Sequence, residues 1–444
     1  MRGWIQSLMV VSLCAIVWAC GGGGGTLPGP NPSPSMGPSG IQHIVIIFQE
    51  NRTVDNLFNG FPGADTVTSG KNSTGGTVAL QPVSLAAPYD LDHSHTGFTT
   101  EYNGAAMNGF DQVRIFPQPG YTPGPNAAYG YVPHSESAPY FALAQQFAFA
   151  DEMFQTNQGP SFPAHQYIIS GTSEPATGST LLVSENVNFP PNVPHANQGC
   201  DSPAGSTVPL IDPSGNETSS MFPCFDHQTL ADLLDAKGIS WKYYTPSPYF
   251  LWSGFDAISH IRYGANDWSK VSVPETNIFN DINLGQLPTV SWVIPTGANS
   301  DHANNNSSAG PSWVGDVANA IGTSKYWNNT VIFVTWDDWG GWYDHVAPHI
   351  YNSYELGFRV PLIIISPYAK AGYVSHVPHE FASILKFTET QFALGSLGFT
   401  DARADNLYDC FNFSQSPLPY HPVTVRYSQA QLMSRWHATP PDSE

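Results

Sequence analysis

The sequence predicts an α/β protein, with a mostly parallel central sheet and helices on both faces. Three observations predict it. Unbroken apolar runs of strand length recur from residue 41 onward, as in strands covered on both sides. Segments of helical character separate them. Oxygen and imidazole donors directly follow several of the runs, at the edge where open α/β sheets gather ligands.

The first twenty residues, MRGWIQSLMVVSLCAIVWAC, hold one arginine, an apolar stretch and then Ala19-Cys20. They read as a secretory signal over 1–19, set aside from the fold. The apolar run is short for a membrane span, which needs ~20 residues. VWAC resembles a bacterial lipobox, which makes Cys20 the lipidated first residue; a plain signal peptide cleaved nearby is the alternative. Residues 20–40 continue as a Gly- and Pro-rich tract, a tether that cannot pack a core. The implied location is exported. Either Cys20 anchors the chain in the bacterial envelope, at the outer membrane or cell surface, or the chain is periplasmic or secreted. Any membrane contact then comes through the lipid anchor.

Residues 41–444 read as a single catalytic domain. IQHIVIIF (41–48) is the first buried strand, and 138–154 has the Ala and Gln content of a helix. In 161–170, Ser161 is followed closely by Pro163, a helix-start signal. HQTLADLLDAKG (227–238) is an amphipathic helix closed by Gly238, and ISWKYY (239–244) a strand. Buried strands follow at 288–295, 329–336 and 359–366, with helices at 312–327 and 379–394. Three stretches rich in Gly, Pro, Ser and Asn, about 61–90, 112–135 and 174–226, read as long surface-loop insertions.

Composition narrows the function. The chain has 444 residues and is 41% hydrophobic, enough for a large core. Its 35 acidic and 15 basic residues give a formal net charge of −20. That excludes nucleic acid as a partner, because phosphate-backbone binding needs a basic surface. A phosphorylated substrate is still compatible if a metal ion supplies local positive charge. Outside the signal and Cys20, three cysteines remain: Cys200, Cys224 and Cys410. In an oxidising compartment Cys200 and Cys224 can staple their loop and leave Cys410 over; the spacing alone does not settle the pairing.

The donors after the strands are Gln49-Glu50-Asn51, Asn299-Ser300-Asp301-His302 and Asp337-Asp338. Glu50, Asp337 and Asp338 repel one another if gathered, so such a site either raises their pKa values or binds a cation. A divalent ion accepts their hard oxygens together with the Asn51 amide oxygen. An exposed turn before Gly340-Gly341 is the plain alternative for the Asp pair. Ser161 stands at a helix start, where backbone N–H groups hold anions. It reads as a metal-activated nucleophile for phosphorus or as an ordinary N-cap. The histidines of 90–98, 300–305 and 343–349 are metal ligands, leaving-group acids, phosphate donors or loop residues.

These segments together resemble the phosphoesterase family of bacterial phospholipases C and acid phosphatases, which have an alkaline-phosphatase-like fold. The likeness runs from about 41 to 395. IQHIVIIFQENRTVDNLFNGFPG resembles the opening segment, YNGAAMNGF (102–110) the next landmark and QGPSFPAHQYIISGT the nucleophile segment. VTWDDWGGWYDHVAPH resembles the Asp-pair segment, and residues 357–389 the closing one. The resemblance implies a divalent metal of unnamed kind held by Glu50, Asn51, Asp337 and Asp338, with Ser161 as nucleophile completing the shell. It implies that His93, His302 and His345 stabilise phosphoryl oxygens and protonate the leaving group; His95 rivals His93. Many members carry Asp-Glu where this chain has Asp337-Asp338. Where Ala164-His165 stand, the family often has Asn-Arg.

The expected function is hydrolysis of phosphoric esters through a phosphoserine, on a phosphoester small molecule or a phospholipid. Ser161 leans toward the acid phosphatases, because the phospholipases C commonly carry Thr there. Phospholipase C cleavage of phosphatidylcholine-type lipids is the alternative. A non-catalytic surface lipoprotein, binding glycans through some of its 12 Trp and 20 Tyr, is a lesser one. A sulfatase or phosphonate hydrolase ranks lower, since no short sulfatase-type signature is present.

Overall fold

The computed structural model describes residues 40–193 and 197–434. The stretches expected to be a signal (1–19) and a tether (20–40), Cys20 included, fall outside the described residues except for Gly40. No described helix is long and apolar enough to cross a membrane.

Eight strands form the central sheet: β1 (His43–Gln49), β2 (Ala148–Ala150), β3 (Trp241–Tyr244), β4 (Val271–Ser272), β5 (Val290–Val293), β6 (Thr330–Trp336), β7 (Leu362–Ile365) and β8 (Tyr373–Ser375). Their order is β4-β3-β5-β1-β6-β7-β2-β8. All neighbours run parallel except where β7 lies antiparallel to β6 and β2. The central pair explains the apolar runs: every residue of β6 is buried, and every residue of β1 after His43.

Helices cover both faces. Along β6, Phe333 and Trp336 point to opposite sides, as residues an odd number apart must. Phe333 meets Phe387 of α6 (Phe381–Phe392) with ring centroids 5.2 Å apart. The same face carries α2 (Ser161–Ser170), packed on α6 and on α3 (Leu230–Ala236). Trp336 meets Tyr140 of α1 (His134–Gln146) at 5.1 Å. On that side α1 packs against α5 (Gly310–Gly322), which also meets α4 (Asn277–Leu284). All ten residues of α2 are buried, so it has no polar face to solvent.

The strands expected at 41–48, 239–244, 288–295, 329–336 and 359–366 are all present, as are the helices at 161–170, 227–238, 312–327 and 379–394. The helix expected over 138–154 is shorter. It begins at His134 and ends at Gln146, and Ala148–Ala150 become β2. Pairing of Ala150 with Leu362 and of Ala148 with Tyr373 outweighs the helix preference of alanine there. The insertions are also more than surface loops. Leu80, Ala87, Tyr89, Ala128 and Tyr129 form a second core around Trp339 and Trp342. Val183, Val208, Leu210 and Ile211 of the third insertion join the main core. Cys200 and Cys224 are disulfide-bonded, and Cys410 is a buried free thiol.

Candidate active site

Strand register builds the site. Gln49 pairs with Trp336 at the ends of adjacent parallel strands β1 and β6. Glu50-Asn51 and Asp337-Asp338 therefore leave the sheet side by side. Asp337 N–H donates to Gln49 O at 2.9 Å, and Asn51 N–H donates to Asp337 Oδ1 at 3.0 Å. Asn51 Nδ2 donates to Asp338 Oδ1 at 3.1 Å. Asn51 holds this turn at φ 58°, a left-handed conformation that Asn tolerates better than most residues.

The two glycines after the Asp pair are needed sterically. A Cβ on Gly340 (φ +61) would lie 2.7 Å from Asn51 Cβ, and one on Gly341 (φ +69) 2.4 Å from Leu91 Cβ. Asp338 Oδ1 also accepts Gly340 N–H at 2.7 Å, which closes the turn.

Helix α2 brings Ser161 to the same point. Pro160 occupies the N-cap position, and Ser161 is the first helical residue. Its Oγ lies 3.5 Å from Glu50 Oε2 and 3.4 Å from Asp338 Oδ2. Glu50, Asn51, Ser161, Asp337 and Asp338 are all fully buried. The neighbouring Arg52 is committed elsewhere: it donates to Asp301 O at 2.9 and 2.7 Å, to Leu85 O and to Asn56 Oδ1.

A divalent cation fits these residues. Asp337 Oδ2 and Asn51 Oδ1 are buried and have no hydrogen-bond partner among the described residues. Buried oxygens of that kind are rare and need a cause. Carboxylate, amide and hydroxyl oxygens form the donor set of a hard or borderline ion.

The histidines separate into distinct roles. His93 Nδ1 donates to Leu91 O at 2.7 Å, so its Nε2 accepts from Asn51 Nδ2 at 2.9 Å. This turns the Asn51 amide so that Oδ1 is left over for a ligand. His93 thus touches the site, whereas His95 Nδ1 pairs with Glu217 at 2.9 Å. His302 packs against His93, ring centroids 5.9 Å apart. Its Nδ1 donates to Ala303 O at 2.6 Å, and its buried Nε2 has no partner among the described residues. His345 sits in a different polar cluster. Its Nδ1 bonds Asp55 at 2.6 Å and its Nε2 lies 3.3 Å from Asp65, beside the buried Arg359–Asp344 pair. Asp301 serves the fold: its Oδ2 accepts from Tyr140 and Trp336, and burial pushes its pKa up to about 6.

Sequence reasoning noted His165 only as a departure from the family pattern. In the structure its Nε2 lies 3.1 Å from Glu50 Oε1, and its donor atom groups with those of Glu50 and Asp337 within 4.8 Å. Burial lowers its pKa to about 4, so the ring is neutral. The available signal was its place four residues after Ser161 on a helix, which puts both on one face.

The family model described as "Phosphoesterase family" matches residues 41–395. Phospholipase C B of Mycobacterium tuberculosis is 24% identical over 458 residues, covering 86% of this chain and 80% of that protein. Non-specific phospholipase C1 of Arabidopsis thaliana is 26% identical, covering 87% and 73%. A solved structure of an alkaline phosphatase superfamily protein from Vibrio parahaemolyticus aligns with a TM-score of 0.37 and 12% identity, over 83% of this chain and 72% of that one.

Proposed function

The chain belongs to the Phosphoesterase family and is a phosphoric ester hydrolase, and we propose that it acts through a Ser161 nucleophile beside one divalent metal ion. The observation that carries the reading is the position of Ser161 Oγ, 3.5 Å from a carboxylate after β1 and 3.4 Å from one after β6. Glu50, Asn51, Asp337 and Asp338 would hold the ion. Bound there, it supplies the positive charge that lowers the serine pKa and neutralises phosphoryl oxygens.

The protein's own groups do the rest. Ser161 passes its hydroxyl proton to Asp338 Oδ2, 3.4 Å away, as Oγ attacks phosphorus in line with the leaving oxygen. The ester O–P bond breaks, and the leaving alkoxide takes a proton. His302 donates it from Nε2 while Nδ1 stays on Ala303 O. Water then attacks the phosphoserine phosphorus and gives a proton to His302; the P–Oγ bond breaks, Oγ takes back the proton held by Asp338, and inorganic phosphate leaves. His93 is a positioning residue: its bond to Asn51 Nδ2 sets which way the amide oxygen faces.

The preferred substrate class is a phosphomonoester, because a serine at 161 resembles the acid phosphatases of the family. Phospholipase C-type cleavage is the second reading, favoured by relatives that carry that name. Export is part of the proposal and is supported by the Cys200–Cys224 disulfide, which belongs to oxidising compartments.

Ser161→Ala should lower turnover of p-nitrophenyl phosphate by on the order of 1,000-fold or more, with metal binding and fold retained. Acid quenching of the wild type on labelled substrate should trap phosphate on Ser161. An active Ser161→Ala protein ends the covalent mechanism. Headgroup release from phosphatidylcholine with little monoester activity would select the second reading.

A further inference from the structure

A second group of metal-type side chains lies outside the residues described above. It forms where β8, the start of α6 and the segment 405–410 meet. His379 Nδ1 bonds Asp405 Oδ1 at 2.7 Å. Its Nε2 lies 3.2 Å from Ser375 Oγ and 3.6 Å from Asp409 Oδ1. Cys410 Sγ lies 3.7 Å from both Asp409 oxygens. Ser375 Oγ donates to Asp409 Oδ2. The donor atoms of His379, Asp409 and Cys410 all fall within 4.8 Å of one another. His379, Ser375 and Cys410 are buried, while the Asp409 side chain is 25% exposed and gives the cluster an opening to water.

We propose that His379, Asp409 and Cys410 form a binding site for a divalent cation of the zinc type, with Ser375 or a water as fourth donor. One imidazole nitrogen, one carboxylate oxygen and one thiolate sulfur suit a borderline-soft ion and not magnesium or calcium. The spacing fits as well. Tetrahedral ligands with bonds of ~2.0–2.3 Å stand roughly 3.3–3.8 Å apart; two of the three separations are 3.6 and 3.7 Å, and the third is within 4.8 Å. The Asp405 contact supplies the outer support that metal-binding histidines use: a carboxylate on Nδ1–H fixes the tautomer and leaves the Nε2 lone pair facing the other donors.

The competing account is an imidazolium held between Asp405 and Asp409. It uses the same carboxylates but gives Cys410 no part and keeps it a thiol. Metal binding instead releases the thiol proton and forms a sulfur–metal bond. The cation would then fasten segment 405–410 to the sheet-edge strand β8.

The deciding readout is a thiolate ligand, which the Ser161 site does not contain. The full chain is stripped with a chelator and titrated with cobalt(II) as the probe. Wild type should develop thiolate-to-cobalt charge-transfer absorption in the near ultraviolet. Asp338→Asn should keep that band, and Cys410→Ser should lose it while circular dichroism stays native. Should Cys410→Ser misfold, His379→Gln, which leaves the thiol in place, must weaken or abolish the band. A folded wild type without the band, or a band that persists in Cys410→Ser, overturns the proposal.

Discussion

The backbone N–H of Asn51 donates to Asp337 Oδ1 at 3.0 Å, joining residues 286 positions apart. That bond and the β1–β6 register bring like charges together in a buried place, which is unfavourable without a cation. Asp337→Asn keeps an oxygen for the Asn51 N–H and removes one charge. Its metal affinity should fall by about 100-fold or more, and turnover with it. In chelator, however, the variant should melt higher than wild type, because the repulsion is relieved. Calorimetry with and without chelator checks both; a lower melting temperature in chelator would remove the repulsion argument.

Gly340 faces Asn51 with no room for a methyl group. At φ +61, with a Cβ placed 2.7 Å from Asn51 Cβ and Asn51 O, alanine must displace the turn that carries Asn51. Gly340→Ala should cost roughly 1–3 kcal/mol of stability from backbone strain and weaken metal binding in the same variant. A Gly340→Ala protein with native metal affinity would mean that the Asn51 turn is not set by this contact.

The parts of the protein that were legible in the sequence share one property: they repeat a pattern over many residues. β1 and β6 are seven-residue strands built on apolar runs, and their register follows from adjacency. The donors after them could be listed before the fold was known. Strands β2, β4 and β8, of two or three residues, have no period to read, and β2 lay hidden inside an alanine-rich stretch with helix character. The satellite core under Trp339 and Trp342 was missed because its Gly- and Pro-rich surroundings mask isolated apolar residues. In the site, Glu50, Asn51, Ser161 and the Asp pair were readable from position after a strand or at a helix start. The roles of individual histidines were not. They depend on what each ring nitrogen meets, Leu91 O for His93 and Asp55 for His345, and those contacts are set by tertiary structure.

The Cys200–Cys224 bridge closes a loop of 24 residues in the third insertion. Chain-entropy arguments put its stabilisation at about 3.5 kcal/mol for a loop of that length. Cys224→Ser should lower unfolding free energy by an amount of that size in denaturant titrations. The same loss should appear when wild type is unfolded under a reductant, and the reductant should leave the variant unchanged. A variant as stable as wild type would show that the insertion is held by its buried Val208, Leu210 and Ile211 alone.

His345 is the histidine whose structural setting departs most from the role the family likeness implies. Burial opposes its charge, but the 2.6 Å bond to Asp55 and the nearby Asp344 carboxylate hold its pKa above the ordinary value. A pKa raised on folding means that the stability it adds is fully present below the unfolded value, near 6.5, and is lost as pH rises through the folded one. The melting-temperature gap between wild type and His345→Gln should therefore be widest below pH ~6.5 and close at higher pH. Catalysis should suffer less than stability, because His345 is tied to Asp55, Asp65 and Arg359 and not to the residues around Ser161. A drop in kcat of ~100-fold or more, the scale on which a general acid acts, with a gap that does not vary with pH, would return His345 to the phosphate site.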